Sequence, residues 1–121
     1  MYAAVSDRKP AYGDNALRTP RDTEYEAFSR VTSMLRQSLR CQDRTLEIKA
    51  VSSNNKLWTI LATDLAHEDN ALLPETRASL LSLALFSIRH GHAVLAEKAT
   101  ANALIDINMS IMKGLRGEVS A

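Results

Sequence analysis

Four stretches of the chain space their apolar residues three and four apart, and polar segments divide them. In the first, Tyr25, Phe28, Val31, Leu35 and Leu39 advance by three, three, four and four, which winds them into one stripe of an α-helix. Thr19 before Pro20, with Asp22 close behind, reads as a helix start. The hydroxyl caps, the proline ring loses no hydrogen bond in the first turn, and the carboxylate faces the positive end. This helix is expected to end near Cys41. The second pattern opens at Asp43, whose side chain can cap it, and carries Leu46, Ala50, Asn54, Leu57, Trp58, Leu61 and Leu65 on one stripe. His67-Glu68-Asp69-Asn70 breaks it. Pro74 followed by Glu75 begins a third helix, since proline cannot continue one already under way.

The third pattern, from Glu75 to about Ala96, differs from the others. Leu80, Leu81, Leu83, Ala84, Leu85, Phe86 and Ile88 cover most of the helix circumference, so the helix is expected to form the centre of the bundle. Gly91 inside it costs about 1 kcal/mol relative to alanine and marks a kink or a close helix approach. The last helix is expected from Thr100 to Lys113, with Leu104, Ile107, Asn108, Ile111 and Leu115 on one face and Gly114 as its stop. No strand pattern competes. The fold class is all-α, a small bundle of about four helices over residues 19–117. Residues 1–18, broken by Pro10, Gly13, Asp14 and Asn15, form a tail expected to be mobile.

One position on the second stripe is out of character. Asn54 lies among leucines beside the chain's single tryptophan, and a buried amide without hydrogen-bond partners costs roughly 1–3 kcal/mol. It must therefore either bridge neighbouring helices inside the core or grip a partner.

Composition narrows the function. The 121 residues suffice for one domain, and a formal net charge of +1 gives no reason to expect a polyanion as the main partner. Cys41 is the only cysteine, so no intrachain disulfide forms and a cytoplasmic location is expected. No secretory leader is read in the first ten residues. The longest apolar run, Leu80 to Ile88 with two serines in it, is too short for a membrane span, so it is expected to be a core helix.

Catalytic chemistry finds no foothold. The sequence contains no Gly-rich phosphate loop, no His-Glu-x-x-His and no Cys-x-x-Cys, so neither an enzymatic role, a cofactor nor a small-molecule substrate is expected. His90 and His92 are separated by about 200° of helical rotation and diverge rather than meet on one metal ion. His67, Glu68 and Asp69 read as loop residues at the surface. Cys41 lies near Arg40 and Arg44, an arrangement that can favour a thiolate, although a helix-end cysteine is usually inert.

A set of short motifs runs through these helices in a fixed order. They are Ala11-Tyr12-Gly13, Arg21-Asp22-x-Glu24, Asn54-Asn55-x-Leu57-Trp58, Leu73-Pro74-Glu75-Thr76-Arg77, Leu104-Ile105-Asp106-Ile107-Asn108 and Ile111-Met112-Lys113-Gly114-Leu115. Together they resemble the FlaF family of flagellar biosynthesis regulators, and the resemblance covers about Ala11 to Gly117. Met109 stands where that family commonly has arginine. The resemblance implies a cytoplasmic factor needed for flagellin production and filament assembly. It would act either by holding flagellin soluble before export or by opposing a regulatory protein that represses flagellin translation.

Both roles are binding roles. A helical protein with surplus apolar surface can lay a groove against the amphipathic helices of an export substrate. The residues expected to bind flagellin or another flagellar regulatory protein are Tyr25, Phe28, Asn54, Leu57, Trp58 and Leu61, because aromatics with polar handles dominate interfaces. The same residues at the same spacing also make an ordinary core. The alternative is a post-transcriptional regulator acting through RNA or a second protein, with Arg30, Arg36, Arg40 and Arg44 as its basic face. A nucleic-acid partner has no further support in the sequence.

Overall fold

Local chemistry bounds the helices at the links between them. The computed structural model describes residues 20–115 and contains, among them, four α-helices and no strand: α1 (Pro20–Cys41), α2 (Arg44–Ala66), α3 (Pro74–Leu95) and α4 (Asn102–Leu115). The expected tail over residues 1–18, the Thr19 cap and the end at Gly117 lie outside the described residues. α1 stops where Gln42 takes a left-handed backbone, φ 52°. Its N–H donates to the Leu39 carbonyl at 3.3 Å and the Asp43 N–H to the Ser38 carbonyl at 3.1 Å, the paired bonds of a Schellman ending. Asp43 then caps α2, its carboxylate accepting from the Leu46 N–H at 3.0 Å. α3 ends the same way at Glu97, φ 61°, with bonds from Glu97 N to Val94 O (3.0 Å) and Lys98 N to Ala93 O (2.8 Å).

The helices alternate in direction and close a ring in which α1 packs on α2 and α4, and α3 packs on the same two. Two arginines fasten the antiparallel α2–α3 pair at opposite ends. Arg44, in the first turn of α2, donates to the Val94 and Leu95 carbonyls at 3.2 and 2.8 Å and pairs with Glu47 at 2.7 Å. Arg77, in the first turns of α3, donates to the Leu65 and His67 carbonyls at 2.9 and 3.2 Å. Each guanidinium donates to carbonyls at its neighbour's C-terminus and meets the negative end of that helix. The arginine of the Leu73–Arg77 motif is thus a clamp on the preceding helix.

The core draws on the expected stripes of α1, α2 and α4 and on two residues outside them, Val51 and Met112, while Ile107, Ile111 and Leu115 are only partly buried. Phe28, Val31 and Leu35 meet Ala50, Val51, Leu57 and Trp58, with Leu104 and Met112 closing the layer. Phe28 stands edge-on to Trp58, ring centroids 5.3 Å apart at 71°, the arrangement that aromatic quadrupoles favour.

Three expectations are corrected. α3 is not the centre of the bundle: it buries Ala84, Ser87, Gly91 and Val94 and leaves Leu85 and Phe86 half exposed. The helix that holds the interior is α2, which buries the largest side chain, Trp58. By length and composition α3 is even apolar enough to cross a membrane; here it forms one wall of the bundle. Gly114 does not stop α4, which continues through Leu115. Finally, α4 starts at Asn102 rather than Thr100, because the Ala101 carbonyl accepts the first helical bonds, from Leu104 and Ile105.

Candidate interaction surface

The tandem asparagine of α2 meets two different environments. Asn54 is fully buried in a chain of side-chain hydrogen bonds that crosses three helices. The Trp58 Nε1–H donates to Asn108 Oδ1 at 3.0 Å, Asn108 Nδ2 donates to Asn54 Oδ1 at 2.8 Å, and Asn54 Nδ2 donates to Ser87 Oγ at 3.4 Å. Trp58, Asn108, Asn54 and Ser87 are each completely inaccessible to solvent. A satisfied network of this kind fixes the register of α2 against α3 and α4, since sliding either helix strands several polar groups in an apolar interior.

Asn55, one residue on, turns toward α3 and lies against Gly91. Its Oδ1 is buried with no hydrogen-bond partner among the described residues. A Cβ at position 91 would sit 2.8 Å from Asn55 Cγ and closer still to Oδ1. Gly91 is therefore the close approach that the sequence pointed to, and the Asn55 side chain fills the space a larger residue would need.

Four of the six residues expected at a partner surface are interior. Phe28, Asn54, Leu57 and Trp58 are buried, while Tyr25 and Leu61 are half-buried against the same core. These side chains already have partners inside the chain, so a groove lined by them is not open in this structure. The open apolar surface lies elsewhere. Leu73 is 73% exposed, Leu85 52% and Phe86 50%, with Leu72, Ile48 and Ile60 less so. The sequence signal for Leu85 and Phe86 was present in the all-round apolarity of α3; what it lacked was the knowledge that the small residues face inward.

The basic residues also separate. Arg44 is committed to α3's carbonyl groups and to Glu47, whereas Arg30, Arg36 and Arg40 are exposed on α1. The His90 Nε2–H donates to the Thr100 carbonyl at 2.8 Å and its ring stacks on Phe86 at 5.7 Å, which ties α3 to the following link. Cys41 is exposed and unbonded. Among the described residues no three His, Cys, Asp or Glu side chains are grouped to hold a metal ion.

A shallow depression lies on α2 near its C-terminal end, lined by Thr59, Ile60, Thr63, Asp64 and His67, with a volume of about 380 Å³. It contains no catalytic constellation and is mostly apolar, as a contact surface is.

No curated protein and no solved structure matches the chain. A family model described as flagellar protein FlaF matches residues 9–115. That span takes in all four helices, the asparagine junction and the arginine clamp, and the chain belongs to the flagellar protein FlaF family.

Proposed function

We propose that this chain is a non-enzymatic binding factor that shields the amphipathic helices of flagellin before export. Membership of the FlaF family implies a role in flagellum biosynthesis; the binding mode is our reading. The observation that carries it is the inversion of α3, which turns Ala84, Ser87 and Gly91 inward and Leu85 and Phe86 outward. Large apolar side chains held at a surface while small ones pack the interior are a standing cost that a helical client would relieve. The bundle supplies a rigid support for that face, because the Trp58–Asn108–Asn54–Ser87 network and the two arginine clamps hold α3 in place.

Calorimetric titration of the full chain with monomeric flagellin at two salt concentrations tests the proposal. The expected complex shows a negative heat-capacity change and a shallow salt dependence. An RNA-binding regulator working through Arg30, Arg36 and Arg40 would instead bind flagellin messenger RNA with affinity falling steeply as salt rises. Absence of a flagellin complex at either salt concentration removes the chaperone reading.

A further inference from the structure

The outer face of α3 is ordered about its own midpoint. Gly91 is buried against Asn55, and Ser82 lies about 180° from it around the helix, so Ser82 marks the midline of the outer face. Glu75, Ala78, Ser79, Leu85, Phe86 and Arg89 fall within about 60° of that midline, and all are exposed. Glu75 and Arg89 stand equally far from Ser82, one toward each end of the helix. The large side chains Leu85 and Phe86 lie on the C-terminal side of Ser82, the small Ala78 and Ser79 on its N-terminal side.

The charge on this face is uncommitted. Of the charged side chains of α3, Arg77 donates to the Leu65 and His67 carbonyls. Glu75 and Arg89 make no hydrogen bond or ion pair among the described residues. They are about 20 Å apart along the axis, too far to pair with each other within one chain.

We propose that the outer face of α3 pairs with the same face of a second copy of this chain, antiparallel, about a two-fold axis at Ser82. That operation sets Glu75 against the partner's Arg89 and Arg89 against the partner's Glu75. It also sets Leu85 against the partner's Ala78 and Phe86 against the partner's Ser79. Each bulky side chain meets a small one, both ends gain an ion pair, and the helix dipoles oppose. A parallel pairing would instead put like charges together at both ends. His90 stacks on Phe86 at 5.7 Å and braces that ring in position. The contact is one helix wide, less than the roughly 1,600 Å² of a standard interface, so the dimer is weak and exchanges readily. The pairing does not depend on the flagellin reading, but it uses the same face, so a second copy covers Leu85 and Phe86 until a client displaces it.

Sedimentation of the full chain at low salt, up to about 1 mM, tests the pairing. The native chain is expected to pass from monomer to dimer as concentration rises. Glu75→Arg alone and Arg89→Glu alone should each weaken association about tenfold, because each reversal places like charges at both symmetric contacts. Equimolar mixing of the two variants restores opposite charges at both contacts and should return association to about native strength. Leu85→Ser with Phe86→Ser should weaken it by more than about tenfold. All four positions are exposed, so the fold is preserved, which circular dichroism checks. A chain that stays monomeric throughout overturns the inference, as does a dimer indifferent to both charge reversals or a mixture that fails to recover. Monomeric flagellin separates the two proposals. A client on this face lowers the dimer fraction and binds the Glu75→Arg chain at least as tightly as the native one. If the native chain dimerises and flagellin does not bind, the flagellin reading falls and the pairing stands. If flagellin binds a chain that never dimerises, the pairing falls and the flagellin reading stands.

Discussion

α2 and α3 are antiparallel neighbours of nearly equal length, and both are rich in leucine and alanine, yet they use those residues in opposite ways. α2 turns its bulk inward, with Trp58, Leu57 and Leu65 in the core and Lys49, Ser52 and Lys56 outside. α3 turns Ala84, Ser87 and Gly91 inward and presents Leu85 and Phe86 outward. Burial follows from how closely two helix axes approach. A large ring in the centre needs a thin neighbour, and small side chains on α3 let its backbone come near enough to reach Asn54 and Asn55. The larger apolar residues of α3 divide: Val94 is buried and Leu83, Ile88 and Leu95 pack partly against the core, while Leu85 and Phe86 lie on the surface, where they add little to stability and are available for binding.

The comparison breaks most visibly in the buried network of α2, at Trp58 and its acceptor Asn108. Trp58→Ala should destabilise the chain by about 3–5 kcal/mol, from the lost packing and from leaving Asn108 Oδ1 without its donor. Urea denaturation checks this, and a loss under 1 kcal/mol would show that α2 does not hold the interior. Next in size is Asn108→Leu, which preserves bulk but strands the Trp58 N–H and Asn54 Oδ1. Its expected cost is roughly 2–4 kcal/mol, the sum of two unmade buried bonds. A stabilised Asn108→Leu chain would mean that the network serves specificity alone, as some buried polar groups do.

A smaller effect distinguishes the two asparagines. Gly91→Ala forces its new Cβ against the Asn55 amide, and overpacking of this kind costs about 1–2 kcal/mol. In an Asn55→Ala background the obstruction is gone, and the same substitution should stabilise α3 by about 1 kcal/mol through helix propensity. The double-mutant cycle on thermal or urea unfolding therefore changes sign. If Gly91→Ala is equally harmful in both backgrounds, the contact between position 91 and Asn55 does not set the spacing of α2 and α3.

Much of this arrangement was readable from residue spacing. The stripes of α1, α2 and α4, the Asp43 cap, the start at Pro74 and the significance of Gly91 all follow from local periodicity and turn chemistry, which act within a few residues. The orientation of α3 was not readable, because a helix apolar on most sides has no moment to declare its inner face; the choice is made by the width of α2 opposite it. For the same reason the stripe of Phe28, Leu57 and Trp58 could pass for a partner groove, and the exposed pair Leu85 and Phe86 for core. Arg44 reads as part of a basic face and Arg77 only as a motif residue until the antiparallel pairing brings each to its neighbour's carbonyl end.

The weakest effect on stability carries the most functional information. Leu85→Ser with Phe86→Ser replaces two half-exposed side chains on α3, and substitutions away from the core usually change stability by no more than about 0.5 kcal/mol each. Phe86 does stack on His90, whose ring bonds the Thr100 carbonyl, so the small loss expected should appear at the α3–α4 link as faster amide exchange near residues 96–101. Affinity for flagellin should fall by tenfold or more, on the order of 1.4 kcal/mol, because the removed area is open surface rather than core. Circular dichroism and calorimetry on the same samples separate these outcomes. Lost binding with an intact helical signal would identify α3's outer face as contact surface. Unchanged binding would leave those two residues as surface apolarity without a client.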